Sequence, residues 1–336
     1  MVKSLKWNPK QSIAVIGGAG FVGRHIVAAL VAEGRGKVRS IDIVPLCERT
    51  AALALLPEGG RSGVEHVEAD ITKSDVCSEL LEGCSAVFHT AAMLSLSVAS
   101  NPAAGFSLNV IGSWNVSLAA AKAGIGLILS SSVGVYGRPP EGIVDEKTPF
   151  WHCDTPYGTA AYGAGKLLAE YNAFLLSEHY PAFRWIGLRY SSVYGYGQHA
   201  NGRHTREFLG NFDRVLAGNP PIVSGRPDKL NDYLHVRDAA RANLCALDAP
   251  VAAWGQSYIV ASGRVVTSIE LARMVCAFGT GRLEPIVNQS EGEGWRGPRY
   301  NCAKAKKLLG FAAEVPLEAG LHEIYEGRKG LSGTPS

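Results

Sequence analysis

The 336-residue chain lacks a dominant charge, long apolar runs and paired cysteines. Its 33 lysines and arginines face 30 aspartates and glutamates, a net charge of +3, so no global field draws it to nucleic acid or an anionic membrane surface. No apolar run approaches the ~20 residues of a membrane span. The polar stretch 1–11 meets the first predicted strand at once, which leaves no room for the apolar segment of a signal peptide. Seven cysteines, at 47, 77, 84, 153, 245, 276 and 302, are odd in number and form no Cys-x-x-Cys pair. That excludes a disulfide framework and suits reduced thiols in a cytoplasmic protein. No metal is predicted, since His199 and His204 form no ligand pattern with a cysteine. There is no internal repeat. A small-molecule partner is what these absences leave.

What is present begins with Ile13-Ala14-Val15-Ile16-Gly17-Gly18-Ala19-Gly20-Phe21-Val22-Gly23. Four apolar residues run into glycines spaced by three, and Val22, Ile26, Val27 and Leu30 follow at helical spacing. This predicts a buried parallel strand, a tight turn and a helix whose N-terminus stabilises a pyrophosphate. A second strand ends at Asp42, about 20 residues beyond the glycines, where a dinucleotide fold places its ribose-binding carboxylate. That acid favours NAD, because it accepts hydrogen bonds from both ribose hydroxyls and repels a 2′-phosphate.

Further strands are predicted near 64–67, 86–92, 126–132 and 185–189, alternating with helices, one of which covers 101–123. The expected fold is α/β: a doubly wound parallel Rossmann sheet with a smaller, partly discontinuous C-terminal α/β substrate lobe. Residues 1–190 form the NAD-binding domain, to which the chain returns near 232–262, its re-entry read at Asp232-Tyr233-Leu234-His235-Val236. Residues 191–231 and 263–330 form the lobe. Thr267-Ser268-Ile269-Glu270 reads as a capping box opening a helix.

Tyr162 and Lys166 stand four apart on one predicted helix face. An ammonium beside the phenol, joined by a positive nicotinamide, lowers the tyrosine pKa toward neutrality, so that Tyr162 acts as general base toward a secondary alcohol. Ser132, at the end of the fifth strand, reaches the same substrate oxygen.

These residues, with His89-Thr90-Ala91-Ala92, Asn109-Val110-Ile111-Gly112, Ser130-Ser131-Ser132, Leu188-Arg189-Tyr190-Ser191-Ser192 and Asn231-Asp232-Tyr233, give an order and spacing that resemble the extended short-chain dehydrogenase/reductases. More narrowly, the chain resembles their NAD-dependent epimerase/dehydratase family. The resemblance implies that Gly17, Gly20, Phe21, Val22 and Gly23 cradle the pyrophosphate, that Asp42 holds the ribose, and that Asp70 and Ile71 meet the adenine. It places Ala91, Ala92, Asn109 and Ser130 along the cofactor cleft and Ser192 beside the nicotinamide. Tyr162, Lys166 and Ser132 are the implied catalytic residues, and a homodimer is implied.

Departures from the family pattern bear on the substrate. Val133-Gly134 stands where the dehydratases carry Asp-Glu, which argues against elimination. Asn231 replaces an arginine that binds the nucleotide diphosphate, and Ser192 replaces an asparagine. Arg296 and Arg299 lie where a phosphate-binding arginine is often kept. His199 and Arg203 belong to a segment suited to clamping an anionic group, or to a solvated loop. The expected activity is hydride abstraction from a secondary alcohol of a sugar or nucleotide sugar, as an epimerase or as a dehydrogenase that releases NADH from a free or acidic sugar. A non-catalytic NAD-binding regulator is the alternative of a different class.

Overall fold

A computed structural model describes residues 11–152, 154–199, 203–288 and 295–332, the side chains of 203, 204, 331 and 332 excepted. Seven strands make the central sheet: β1 (Ser12–Ile16), β2 (Val38–Asp42), β3 (Val64–Glu68), β4 (Cys84–His89), β5 (Gly126–Ser132), β7 (Arg184–Tyr190) and β11 (Gln256–Val260). Their order is β11-β7-β5-β4-β1-β2-β3, with every pairing parallel. A second sheet runs β12 (Val265–Thr267), β10 (Leu230–His235), β8 (Ser192–Tyr194). Two ribbons pair β6 (Ile143–Val144) with β14 (Arg299–Tyr300) and β9 (Ile222–Ser224) with β13 (Ile286–Asn288).

Strand alternation divides the core between the two faces of the central sheet. Ile13 and Val15 pack with Ile26 and Leu30 of α1 (Phe21–Ala32) on one face, while Ala14 and Ile16 pack toward Val116 and Ala120 of α2 (Ser113–Ala123) on the other. Covered on both sides, β1 is apolar at four successive positions. The second face also receives Ala173 and Leu176 of the 23-residue helix α3 (Tyr157–His179). No helix among the described residues is long and apolar enough to cross a membrane.

The lobe has its own core, built from Phe208 and Phe212 of α4 (Arg203–Leu216), Tyr233 of β10, Leu271 of α6 (Ser268–Cys276) and Leu321 of α7 (Leu317–Ser332). The capping box forms: the Glu270 N–H donates to the Thr267 hydroxyl oxygen at 3.2 Å, and the Thr267 N–H donates to Glu270 Oε2 at 2.8 Å.

Two sequence expectations change. Residues 232–236 do not re-enter the central sheet: β10 joins the second sheet, and the return is made by α5 (Val236–Leu247), which packs on α1, followed by β11. The buried residues of β10 are shared between two cores: Tyr233 packs in the lobe and Leu234 against the central core. The helix predicted over 101–123 contains a wider π-helical turn at Ser107–Gly112 before α2 resumes, and that irregularity carries Asn109.

Candidate active site

A cleft of about 1100 Å³ opens at the carboxyl ends of the parallel strands, where the strand order reverses between β1 and β4. Gly17 has φ +82°, and a Cβ there would sit 2.6 Å from the Ala91 nitrogen. Gly23 lies against the Gly17 carbonyl, so the turn and the first turn of α1 close on each other without side chains between them. Gly17, Gly20, Phe21, Val22 and Gly23 all face the cleft, as do Asp42, Asp70, Ile71, Ala91, Ala92 and Ser130. This is a cradle for a dinucleotide, with backbone free to approach a pyrophosphate.

Asp42 is fixed at the end of β2. Its Oδ2 accepts from the Ala19 N–H at 2.9 Å and its Oδ1 from the Val44 N–H at 3.1 Å. Hydrogen bonds from the Thr72 N–H and hydroxyl hold the Asp70 carboxyl below the usual carboxylate range. Asn109 does not face the cleft. Its amide exchanges hydrogen bonds with the Met93 backbone, accepting at 2.8 Å and donating at 2.9 Å, and so pins the loop that follows β4.

Sequence reasoning missed Arg49. Only 2 % exposed, its guanidinium donates to the carbonyls of Ser40, Asp42, Val44 and Val67. An arginine near the end of β2 is the group that accommodates a 2′-phosphate, but these donors are spent on the sheet edge. No local periodicity marks such a role, because its four partners come from two segments, residues 40–44 and Val67 of β3.

The catalytic candidates converge at the cleft. The Ser132 hydroxyl and the Tyr162 ring both lie against Gly134, and Ser132 Oγ accepts from the Gly134 N–H at 3.0 Å. Lys166, one turn along α3, is buried with its Nζ 5.9 Å from the centre of the Tyr162 ring. The expected lowering of the phenol does not occur in the chain by itself. Burial pushes Tyr162 up to about 12, opposed by the neighbouring Ser132 hydroxyl, and burial pushes Lys166 down to about 8, opposed by Glu170. Desolvation disfavours the charged form of each, and it outweighs their proximity.

Beyond this group the cleft continues into the lobe, lined by Ser192, His199, Glu207, Phe208, Ser224, Lys229 and Tyr233, with Arg138 contributed from the loop after β5. The rings of Phe208 and Tyr233 stack with centroids 5.4 Å apart. Three sequence candidates do not face it. Asn231 is buried and donates to the Lys229 carbonyl at 3.0 Å and the Ser268 hydroxyl at 3.2 Å. Arg299 is exposed on β14, and Arg296 borders a separate hollow with Arg138, Trp151, Arg226 and Trp295. The Arg203 side chain lies outside the described residues.

The model of the NAD-dependent epimerase/dehydratase family matches residues 13–261. A putative UDP-glucose 4-epimerase of Methanocaldococcus jannaschii is 28% identical over 96% of this chain and 100% of its own length. A 3 beta-hydroxysteroid dehydrogenase/Delta 5-->4-isomerase of Mycobacterium tuberculosis is 30% identical over 78% of this chain and 68% of its own. Among solved structures, the UDP-glucose 4-epimerase of Thermus thermophilus complexed with NAD superposes with a TM-score of 0.78 at 25% identity, covering 95% of this chain and 99% of that one.

Proposed function

Because the chain belongs to the NAD-dependent epimerase/dehydratase family, with NAD as its cofactor, we propose that it oxidises a secondary alcohol of a sugar or nucleotide sugar to a ketone with Tyr162 as base. The observation that carries this reading is the convergence of Tyr162, Ser132 and a buried Lys166 on one cleft with the glycine turn and Asp42. NAD supplies the hydride acceptor and a positive ring. Tyr162 takes the hydroxyl proton, Ser132 holds the same substrate oxygen, and Lys166 supplies the positive charge that favours phenolate. Gly17, Gly20 and Gly23 hold the pyrophosphate, and Asp42 holds the ribose. Returning the hydride to the opposite face of the ketone makes the enzyme an epimerase.

The second reading is a dehydrogenase that releases NADH from a free or acidic sugar. It draws support from the position of Asn231, Arg296 and Arg299, which leaves those three side chains outside the cleft. Among the described residues, the lysine and arginine facing the far end are Lys229 and Arg138, and they are suited to a single anionic group. A UDP-sugar epimerase needs the nucleotide as an anchor while the ketone turns over, so the two readings differ in what holds the substrate.

The deciding experiment mixes protein and NAD with free aldoses, uronic acids and nucleotide sugars and follows NADH absorbance alongside sugar analysis. A new epimer without net NADH establishes the epimerase, and accumulating NADH establishes the dehydrogenase. Tyr162→Phe abolishes either activity by roughly 10²–10⁴-fold, and full turnover in that variant refutes the assignment.

A further inference from the structure

The inner face of α3 carries a third ionisable group one turn beyond Lys166. Glu170 is 4 % exposed, and its carboxylate gathers donors from three strands. Oε1 accepts from the Ser131 hydroxyl at 2.5 Å and from Arg189 Nε at 3.0 Å; Oε2 accepts from Arg189 Nη2 at 2.6 Å and the Ser257 hydroxyl at 2.7 Å. Arg189 Nη1 donates in turn to the Tyr136 hydroxyl at 2.7 Å. This cluster locks the catalytic helix to β5, β7 and β11, and Ser131 is the residue directly before Ser132. A buried ion pair contributes little to stability compared with apolar residues of the same volume. Its placement four residues from Lys166 calls for another reason.

We propose that Glu170 is a positioning residue for the reaction: a buried anion that holds the Lys166 ammonium and the Ser132-bearing strand in the arrangement the Tyr162 base requires. The proposal rests on Tyr162 and Lys166 being the catalytic pair. Residues 162, 166 and 170 follow at successive turns of one helix face, so the charges along it alternate between phenolate, ammonium and carboxylate. Burial works against the charged lysine, and Glu170 is the neighbour that opposes it. The other titratable groups near Lys166 do not supply a negative charge. His89, at the end of β4, is pushed down to about 3 by burial and by Lys166, and Tyr136, behind Arg189, is pushed up to about 12 by burial. The Arg189 guanidinium is engaged by Glu170 and Tyr136.

Glu170→Gln alone leaves the buried Arg189 without its counter-charge and is expected to destabilise the fold. The test is therefore the double variant Glu170→Gln/Arg189→Met, which removes both charges at similar volume. In the NAD-free chain, reductive methylation of Lys166, followed by peptide mass spectrometry across a pH series, reads the fraction of neutral amine. Of the two charges removed, Glu170 is the one that acts on Lys166, so the neutral form is favoured and the midpoint moves to lower pH by about one unit, a tenfold change in the neutral-to-charged ratio at fixed pH below the midpoint. With a turned-over substrate, the alkaline limb of the rate profile moves the same way. A double variant with native NAD affinity and an unmoved methylation midpoint overturns the proposal and makes Glu170 structural only. Absence of turnover by the unaltered chain counts against the proposed function, while the methylation midpoint still decides the role of Glu170.

Discussion

Gly163 lies against the carbonyl oxygen of Gly134, so closely that a Cβ at 163 would overlap that oxygen. The residue after Tyr162, the proposed base, thus packs on the turn that follows Ser132. Gly163→Ala forces α3 away from the turn. The expected result is a fall in kcat of at least tenfold and a loss of about 1–3 kcal/mol of stability, with NAD affinity little changed. Kinetics, NAD titration and thermal unfolding check it.

Asp42 is the proposed ribose ligand, and Arg49 beside it donates to the Asp42 carbonyl. Asp42→Ser removes the repulsion of a 2′-phosphate, so the NADP-to-NAD affinity ratio rises by about tenfold, roughly 1.4 kcal/mol. It does not invert fully, because the Arg49 guanidinium remains bound to four carbonyls. Dissociation constants for both cofactors read the ratio.

His89 makes the cofactor domain acid-sensitive. Its ring is buried with Nε2 2.9 Å from the Ser113 hydroxyl, and burial pushes it down to about 3 from an ordinary value of 6.5. The unfolded chain therefore binds a proton that the folded chain refuses, and stability falls as pH drops from 6.5 toward 3. His89→Gln flattens this part of the pH–stability curve. Denaturant unfolding at several pH values shows whether the slope decreases.

Lys229 and Arg138 reach the substrate end of the cleft from opposite elements, the start of β10 and the loop after β5. Lys229→Met and Arg138→Leu each raise KM for an anionic substrate by about tenfold, with kcat within a factor of about two, as removal of a charge-assisted contact requires. An unchanged KM in both variants removes these residues from substrate recognition.

The outer face of α3 is apolar where a solvated helix is polar. Leu168, Tyr171, Phe174 and Leu175 are 41–55 % exposed, and Phe106 and Ile111 are exposed with them. A patch of this kind on one helix face is suited to a self-complementary contact between two copies. Phe174→Asp with Leu175→Glu is expected to convert a dimer to a monomer in sedimentation. If the unaltered chain already sediments as a monomer, the homodimer is wrong.

Much of this was readable residue by residue. The β1 apolar run with its glycine spacing located the dinucleotide turn, because a parallel strand buried on both faces and a turn that admits no side chain leave local marks. Tyr162, Lys166 and Ser132 were found by helical spacing and by the strand end before Val133. Asn231, Arg296 and Arg299 were misplaced for a common reason: position along the chain says where a residue falls in a motif, not which way its side chain turns. Asn231 spends its amide on Lys229 and Ser268, contacts fixed by how β10 meets α6.

The amino-acid sequence by itself determined the strand–helix alternation, the sheet class, the glycine turn and the placing of Tyr162, Lys166 and Ser132 at one cleft, since each depends on short-range periodicity or on a conformation only glycine adopts. Tertiary structure alone decided that Arg49 is consumed by sheet-edge carbonyls, that Glu170 meets Arg189 behind Lys166, that Lys229 and Arg138 face one cleft, and that the Tyr162 phenol is pushed up instead of down. Those outcomes depend on burial and on partners distant in sequence. Desolvation and long-range hydrogen bonds come into being only when the chain has folded.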